Sequence, residues 1–200
     1  MNIIIDTGCA NISSLRFAVE RLNYPVQVTA DKEAILTAEK VFLPGVGTVK
    51  EAMANLRKRD LVAIIRQVEA PLLGICLGMQ ILGEQSYEGG AYESTTPIEC
   101  LGLIPGKISK MIAKDVPLPH MGWNQITPSD HPLFQGISAN DYFYFVHSYA
   151  MPIGDYTLAQ CDYGQPFSAA IGQGNFMGVQ FHPERSGAAG ARLLKNFLEM

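Results

Sequence analysis

The chain has 200 residues, 48% of them hydrophobic and 17% charged, which is enough apolar material for one sizeable core. The formal charge is −4 and no run of basic residues occurs, which argues against a nucleic-acid binder and favours small molecules or proteins as partners. No apolar stretch is long enough to span a membrane, and the N-terminus lacks the basic and apolar regions of a secretory signal, so we expect a cytoplasmic protein with no membrane partner.

Cysteine spacing and short motifs argue against several kinds of chemistry. The four cysteines lie far apart without a C-x-x-C pair, which disfavours a disulfide framework or a zinc site. The sequence has no phosphate-binding G-x-x-x-x-G-K-[ST] loop, no G-x-G-x-x-G motif and no H-E-x-x-H motif. We therefore expect a protein without metal or other cofactor, and reduced thiols at Cys9, Cys76, Cys100 and Cys161.

The first half of the chain alternates apolar runs with helical patterns. Apolar residues recur at helical intervals from Leu15 to Leu22, after the candidate caps Ser13 and Ser14, and a second helical pattern runs from Gly47 to residue 69. Strands are predicted at residues 2–6, 40–43 and 72–75. This order predicts an α/β fold with a central, mainly parallel twisted sheet and flanking helices, whose ligand site lies at the carboxyl ends of the strands.

The second half contains more glycine and proline and shorter β-like runs. Glycine-rich residues 172–175 predict a hairpin turn, and an amphipathic helix is predicted over residues 187–197. We find no repeat or linker and expect one domain with smaller antiparallel β elements in this half. The β-like runs lie at residues 142–149, 157–161, 167–171 and 176–181.

Cys76 is the first candidate for chemistry. It follows an apolar strand and precedes a helical pattern, with Gly74 and Gly78 two residues away on either side. A sharp strand-to-helix turn requires small residues at those two places and exposes the corner side chain, while the start of the helix favours a thiolate and Leu77 N–H points toward an oxyanion. A buried, inert core cysteine has equal support from the residues alone.

His182 is the best of four candidate bases. His131 lies in a turn-like setting, and His120 and His147 are either structural or pocket-lining. His182 ends an apolar strand, and the proline after it holds an extended backbone that places Glu184 on the same side. Glu184 can then fix the imidazole tautomer, which makes a Cys-His-Glu triad the leading interpretation.

Two further segments suit the surroundings of such a triad. The glycines of residues 44–47 either let a backbone N–H approach an oxyanion or form an ordinary turn. Gln80 lies four residues after Cys76 on the same helical face, where it either holds a polar substrate group or is simply an exposed helical glutamine.

Two of these motifs carry a resemblance to a known family. Residues 74–80, Gly-Ile-Cys-Leu-Gly-Met-Gln, together with residues 180–184, Gln-Phe-His-Pro-Glu, resemble the nucleophile and acid-base motifs of class I glutamine amidotransferases. The order of motifs matches across nearly the whole chain, which implies one type-1 domain over residues 1–200. Within the family, residues 43–47, 119–124 and 144–149 look like those of the glutaminase subunits of imidazole glycerol phosphate synthases.

The resemblance implies a mechanism and a set of site residues. Cys76 attacks the side-chain amide of glutamine to form a glutamyl thioester, His182 protonates the departing ammonia and then activates water, and Glu184 orients His182. The family also implies oxyanion binding by the Val46 and Leu77 N–H groups beside Gly47, and glutamine contacts at Gln80, Ser148 and Tyr149.

It further implies a heterodimer with a (β/α)8-barrel cyclase subunit, which uses the ammonia to make imidazole glycerol phosphate and aminoimidazole carboxamide ribotide in histidine biosynthesis. Trp123 is an interface candidate, although core packing has equal support. Three other interpretations remain: a different class I amidotransferase chain, a free γ-glutamyl hydrolase, or a non-catalytic binding module. The other interface candidates are Met121, Asn124, Tyr142 and Arg185.

Overall fold

The computed structural model describes residues 1–8, 12–89 and 92–200, so Cys9 lies outside the described residues. In chain order the strands are β1 (Asn2–Ile5), β2 (Val26–Thr29), β3 (Lys40–Gly45), β4 (Leu72–Cys76), β5 (Gln85–Glu88), β6 (Glu93–Glu99), β7 (Lys107–Lys110), β8 (His120–Gln125), β9 (Thr127–Pro128), β10 (Tyr142–His147), β11 (Tyr149–Ala150), β12 (Thr157–Asp162), β13 (Pro166–Gln173) and β14 (Phe176–Val179). The helices are α1 (Ile12–Arg21), α2 (Lys32–Leu36), α3 (Val49–Lys58), α4 (Val62–Arg66), α5 (Leu77–Gln80) and α6 (Gly187–Glu199), with 310 helices at Pro132–Phe134 and Pro183–Arg185.

The main sheet is mixed and has the strand order β2-β1-β3-β4-β14-β13-β12-β9. The first five strands of this order are parallel, and the last three continue the sheet antiparallel. This confirms the predicted α/β fold class, but several antiparallel strands extend the central sheet instead of standing apart. In the parallel half, Gly45 lies opposite Cys76 and Val179 opposite Ile75, so the carboxyl ends of β3, β4 and β14 meet at one edge.

Two smaller sheets border that edge. The strands β8 and β10 form an antiparallel pair, and β11, β7, β5 and β6 form a four-stranded sheet. The run predicted as one strand at residues 142–149 is therefore divided between β10 and β11, which belong to different sheets.

Both faces of the main sheet are buried, as a parallel sheet requires. Ile4 and Phe42 pack into one apolar cluster, and their neighbours Ile3 and Val41 pack into the other, since successive side chains alternate across a strand. Among the described residues, no helix combines the length and apolarity needed to cross a membrane.

Helix boundaries differ from the sequence prediction in two places. Helix α1 already begins at Ile12, so Ser13 and Ser14 lie inside it, and the prediction that they cap it is wrong. The helical pattern through residue 69 is two helices, because Asp60 adopts a left-handed φ of 54° between α3 and α4. Helix α3 starts with a capping box in which Thr48 and Glu51 exchange hydrogen bonds.

Candidate active site

Cys76 forms a strained corner between β4 and α5. Its φ is 53° and its ψ is −111°, a left-handed φ that a residue with a side chain rarely adopts. A Cβ at Gly74 would stand 2.6 Å from the carbonyl oxygen of Gly78, and a Cβ at Gly78 would collide with the carbonyl oxygen of Leu43. The two glycines are therefore required by backbone contacts, and the strained corner favours a reactive cysteine over an inert one.

His182 follows β14 and lies directly against Glu184. The extended backbone predicted between them is wrong, because Pro183–Arg185 is a 310 helix and its turn brings Glu184 to the imidazole. Its Nδ1 is 2.8 Å from Glu184 Oε1, and both side chains are buried. Burial lowers the pKa of His182, but hydrogen bonds to Cys76 and Glu184, and the charges of both groups, raise it to about 10. The backbone is held as well, since His182 N–H donates to the Tyr144 carbonyl at 2.9 Å and Ser186 Oγ donates to the His182 carbonyl at 2.6 Å.

A cavity of about 320 Å³ opens beside Cys76 and His182. Residues predicted separately from the sequence meet on its wall. Glu184 does not line the cavity but contacts His182. The predicted lining residues that the structure brings together are Val46, Gly47, Leu77, Gln80, Ser148 and Tyr149.

The segment after β3 reaches this cavity because β3 runs beside β4. Gly45 lies opposite Cys76, and a Cβ at Gly45 would stand 2.7 Å from the backbone nitrogen of Gly78. Gly47 has a φ of 90°, a conformation that favours glycine. Val46 and Gly47 are thus placed within reach of a group bound at Cys76.

Gln80 is buried, so the interpretation as an exposed helical glutamine is wrong. Its Nε2 donates to the Tyr149 carbonyl at 2.9 Å and to Gln180 Oε1 at 3.0 Å. Its own Oε1 is the side-chain atom left for a ligand in the cavity.

Two residues near the site, Glu88 and Gln180, were not predicted as site residues from the sequence, and a third, His147, was left open. Glu88 lines the cavity and accepts a hydrogen bond from Val49 N–H at 3.0 Å. The pKa of Glu88 is raised, because burial and the charge of Glu51 outweigh the lowering effect of that hydrogen bond. His147, left open as structural or pocket-lining, also lines the cavity. Gln180 Nε2 lies 3.7 Å from Cys76 Sγ. Gln180 lies directly after β14 and two residues before His182, which offered a signal, whereas no local pattern marks Glu88.

The predicted interface residues lie mostly on one exposed face of the β8–β10 pair. Met121, Trp123 and Tyr142 share this face, and Trp123 is 56% exposed with its ring 5.9 Å from that of Tyr144, so the core-packing interpretation of Trp123 is wrong. Asn124 points to the opposite face, where its Nδ2 donates to the Asp162 carbonyl at 3.1 Å. Arg185 is exposed directly after Glu184.

Within residues 1–8, 12–89 and 92–200, no three His, Cys, Asp or Glu side chains are grouped so that they could hold a metal ion. Cys76, Cys100 and Cys161 are free thiols.

Comparisons with known proteins agree with the geometry. The family model for glutamine amidotransferase class-I matches residues 3–200. The chain is 60% identical over 199 residues to the imidazole glycerol phosphate synthase subunit HisH of Vibrio cholerae, covering 99% of this chain and 98% of that protein. It is 55% identical over 202 residues to the protein of the same name from Salmonella typhimurium, covering 100% of both.

A similar fold occurs in solved structures of low identity. A glutamine amidotransferase from Thermotoga maritima superposes with a TM-score of 0.63 at 17% identity, covering 100% of this chain and 81% of the other. The PurLQS structure from the same organism gives a TM-score of 0.69 at 20% identity, covering 99% of this chain and 97% of the other.

Proposed function

The chain belongs to the class I glutamine amidotransferase family, and we propose that it is the glutaminase subunit of imidazole glycerol phosphate synthase. It hydrolyses glutamine to glutamate and ammonia for use by a cyclase subunit in histidine biosynthesis. The observation that carries this proposal is that the strained Cys76 corner shares one cavity with His182, whose imidazole contacts the buried side chain of Glu184.

Cys76 is the nucleophile in this proposal. Its thiolate attacks the side-chain carbonyl carbon of glutamine, and the C–N bond breaks as His182 gives its proton to the leaving nitrogen, which departs as ammonia. Water then attacks the glutamyl thioester while His182 takes its proton, and glutamate and the thiolate are released. The backbone N–H groups of Val46 and Leu77 stabilise the oxyanion in both steps, beside Gly47.

The charge on Cys76 controls what His182 can do. The thiolate and Glu184 together raise the pKa of His182 to about 10, so the imidazole carries a proton ready for the leaving group. Formation of the thioester removes the thiolate charge, and the pKa of His182 falls. A neutral imidazole is then available as the base for water, and Glu184 keeps it in the correct tautomer.

The rest of the cavity binds the glutamine substrate. A free amino acid carries an ammonium and a carboxylate, so its site needs groups of both polarities. Gln80, Ser148 and Tyr149 contact the substrate, and Glu88 supplies a carboxylate for its ammonium group.

The ammonia goes to a second chain. The partner is the (β/α)8-barrel cyclase subunit, and the contact face comprises Met121, Trp123 and Tyr142. Arg185 lies in the 310 helix that contacts β10, whereas the Asn124 side chain is on the other side of the strand pair. This face adjoins the site, because Val146 of the same strand pair lines the cavity and its carbonyl oxygen lies 3.9 Å from Cys76 Sγ. We also place the chain in the cytoplasm, a reducing compartment that suits the free thiols.

Glutamate production from glutamine, measured against titrated cyclase in the presence of the cyclase's nucleotide ligand, tests the proposal. We expect slow turnover by the chain alone and a sharp rise on addition of both. Equal activity with and without the partner would overturn the coupled-subunit proposal in favour of a free hydrolase.

Cys76→Ala separates the two reactions. Glutamine-dependent synthesis by the complex should stop while ammonia-dependent synthesis continues. Loss of both would indicate damaged assembly, and retention of glutamine-dependent synthesis would exclude Cys76 as the nucleophile.

A further inference from the structure

A continuous series of hydrogen bonds runs through the interior from β8 to the sulfur of Cys76. Its outer end is Asn124, next to the exposed Trp123, and its inner end is Gln180, which is fully buried. The contacts, in order, are Asn124 Nδ2 to His120 Nε2 at 3.3 Å, His120 Nδ1 to His147 Nε2 at 2.9 Å, His147 Nδ1 to the Tyr149 carbonyl at 2.9 Å, that carbonyl to Gln80 Nε2 at 2.9 Å, Gln80 Nε2 to Gln180 Oε1 at 3.0 Å, and Gln180 Nε2 to Cys76 Sγ at 3.7 Å.

The outer half of the series, from Asn124 to the Tyr149 carbonyl, has a fixed direction from donor to acceptor. Burial lowers the pKa of His120 to about 4 and that of His147 to about 3, so near pH 7 each neutral imidazole has one donor and one acceptor nitrogen. The Tyr149 carbonyl can only accept, so His147 Nδ1 must donate to it. His147 Nε2 must then accept from His120 Nδ1, and His120 Nε2 must accept from Asn124.

The Tyr149 carbonyl also fixes the orientation of the two amides in the inner half of the series, those of Gln80 and Gln180. Only the nitrogen of the Gln80 amide can face the Tyr149 carbonyl, and its second hydrogen is directed at Gln180 Oε1. With its oxygen facing Gln80, Gln180 presents its nitrogen to the sulfur of Cys76. Flipping Gln80 would set its oxygen against the Tyr149 carbonyl, and flipping Gln180 would set its nitrogen against that of Gln80. Two acceptors or two donors would then meet inside the protein, which is costly where no water can intervene.

Gln180 therefore offers the sulfur an N–H donor from a position that a substrate does not occupy. The cavity beside Cys76 is lined by other residues, and Gln180 is not one of them. A hydrogen bond to an anion is stronger than one between neutral groups, so this donor favours the thiolate over the neutral thiol.

We propose that this hydrogen-bond series holds Gln180 as a donor to the Cys76 thiolate, which makes Gln180 a further catalytic residue and Gln80 and His147 its positioning residues. The inference rests on the proposed function only in taking Cys76 as the nucleophile. It assigns the thiolate a stabilising contact in addition to His182.

Site-specific alkylation of the full chain by iodoacetamide tests the contact without glutamine turnover. The rate at Cys76 is followed at pH 7 by mass spectrometry of its peptide. For Gln180→Leu we expect the rate to fall about tenfold, the change that follows loss of one hydrogen bond to a charged group. His147→Phe removes the hydrogen bond to the Tyr149 carbonyl, which is itself two contacts away from Gln180. This variant should lower the rate about two- to threefold.

The buried thiols of Cys100 and Cys161 report on folding in the same samples. Burial raises the pKa of each to about 12, so both stay unreactive at pH 7 while the fold is intact. If Gln180→Leu exposes them, Gln180→Met takes its place, since it keeps the side-chain length without the donor. Asn196→Leu is the matched control, because it removes a buried amide that donates to Leu133 and Gln135 far from this series, and Cys76 should react at the wild-type rate.

Each outcome decides between the alternatives. An unchanged rate at Cys76 in a folded Gln180 variant would overturn the proposal. A loss of rate in Gln180→Leu with no change in His147→Phe would overturn the positioning role of His147. If the chain releases no glutamate from glutamine even with the cyclase subunit and its nucleotide ligand, yet shows Gln180-dependent alkylation, the proposed function is refuted and the thiolate contact stands.

Discussion

The carbonyl oxygen of Leu43 lies where a Cβ atom at Gly78 would stand. Strand β3 thus passes against the turn after Cys76 with no space for a side chain. Both contacting groups are backbone, so neither can rotate away as a flexible side chain can. The contact joins the strand that leads into Val46 and Gly47 to the turn that carries the nucleophile.

Gly78→Ala should therefore destabilise the protein strongly. Overpacking against backbone should lower the free energy of unfolding by about 3 kcal/mol, measured by urea denaturation. Gly102→Ala is the control, because Gly102 has a left-handed φ of 65° and nothing lies within 4 Å of its Cβ position, so its cost should be only about 1 kcal/mol. Equal losses in the two variants would show that the Leu43 contact can relax.

Glu184→Gln should impair catalysis more than binding. The amide removes the charge that helps to raise the pKa of His182, so the protonated imidazole is less stable beside the thiolate. We expect kcat for glutamine in the complex to fall about 10²- to 10⁴-fold, with a small change in KM. Glu69→Gln changes an exposed carboxylate and should have no effect. A Glu184 variant with wild-type kcat would refute the orienting role.

Glu88→Gln should impair the binding of glutamine more than catalysis, the reverse of the effect expected for Glu184→Gln. Loss of the carboxylate that faces the cavity should raise KM for glutamine about tenfold or more, because the ammonium group of the substrate loses a charged partner. The change in kcat should be small. Glu93→Gln is a matched control, since Glu93 is exposed and pairs with Glu88 across β5 and β6. An unchanged KM would show that Glu88 serves only to hold Val49 N–H.

The buried histidines should make the protein acid-sensitive. The folded pKa values of His120 and His147, about 4 and about 3, lie below the ordinary value of 6.5. Below pH 6.5 these histidines bind protons in the unfolded chain but stay neutral in the folded chain. The stability that they contribute is therefore complete above pH 6.5 and is lost as the pH falls. The slope approaches about 1.4 kcal/mol per pH unit for each histidine.

Urea unfolding at pH 7.5, 6.5 and 5.5 measures this effect before most carboxylates titrate. Between pH 7.5 and 6.5 His182 acts in the opposite sense, because its raised pKa makes its contribution to stability grow as the pH falls toward 6.5; the loss is therefore read between pH 6.5 and 5.5. His147→Phe should be less stable than wild type at pH 7.5 but should lose less stability on acidification. A slope equal to that of wild type would show that His147 does not remain neutral in the folded state.

The sequence revealed the site wherever local geometry constrains residue type. Gly74 and Gly78 are visible as a pattern because the turn at Cys76 admits no side chain on either side. His182 and Glu184 were visible as a pair because they lie only two residues apart, but a 310 helix at Pro183–Arg185, and not an extended backbone, brings their side chains together. Both signals lie within five residues, so they could be read without the fold.

Long-range contacts were not visible in this way. Glu88 reaches the cavity only because β5 joins a separate sheet and its carboxylate bonds to Val49, 39 residues away. The contact of Gln80 with the Tyr149 carbonyl spans 69 residues and turned a predicted surface alternative into a buried group. The break between α3 and α4 depends on one left-handed residue, Asp60, which the apolar periodicity does not record.

Trp123→Ala should weaken association with the cyclase subunit without harming the fold. The ring is more than half exposed and contacts Tyr144 edge-on, so truncation leaves no cavity in the core. If it is an anchor of the interface, its loss should raise the dissociation constant about 30-fold, equivalent to about 2 kcal/mol. Calorimetric titration of the two subunits measures this, and urea unfolding of the chain alone should be nearly unchanged. Tyr92→Ala is the control, because Tyr92 is 87% exposed beside β6 in another sheet and should leave affinity at the wild-type value. Equal affinities for the Trp123 and Tyr92 variants would remove Trp123 from the interface, because an aromatic side chain buried by a partner cannot be truncated without cost.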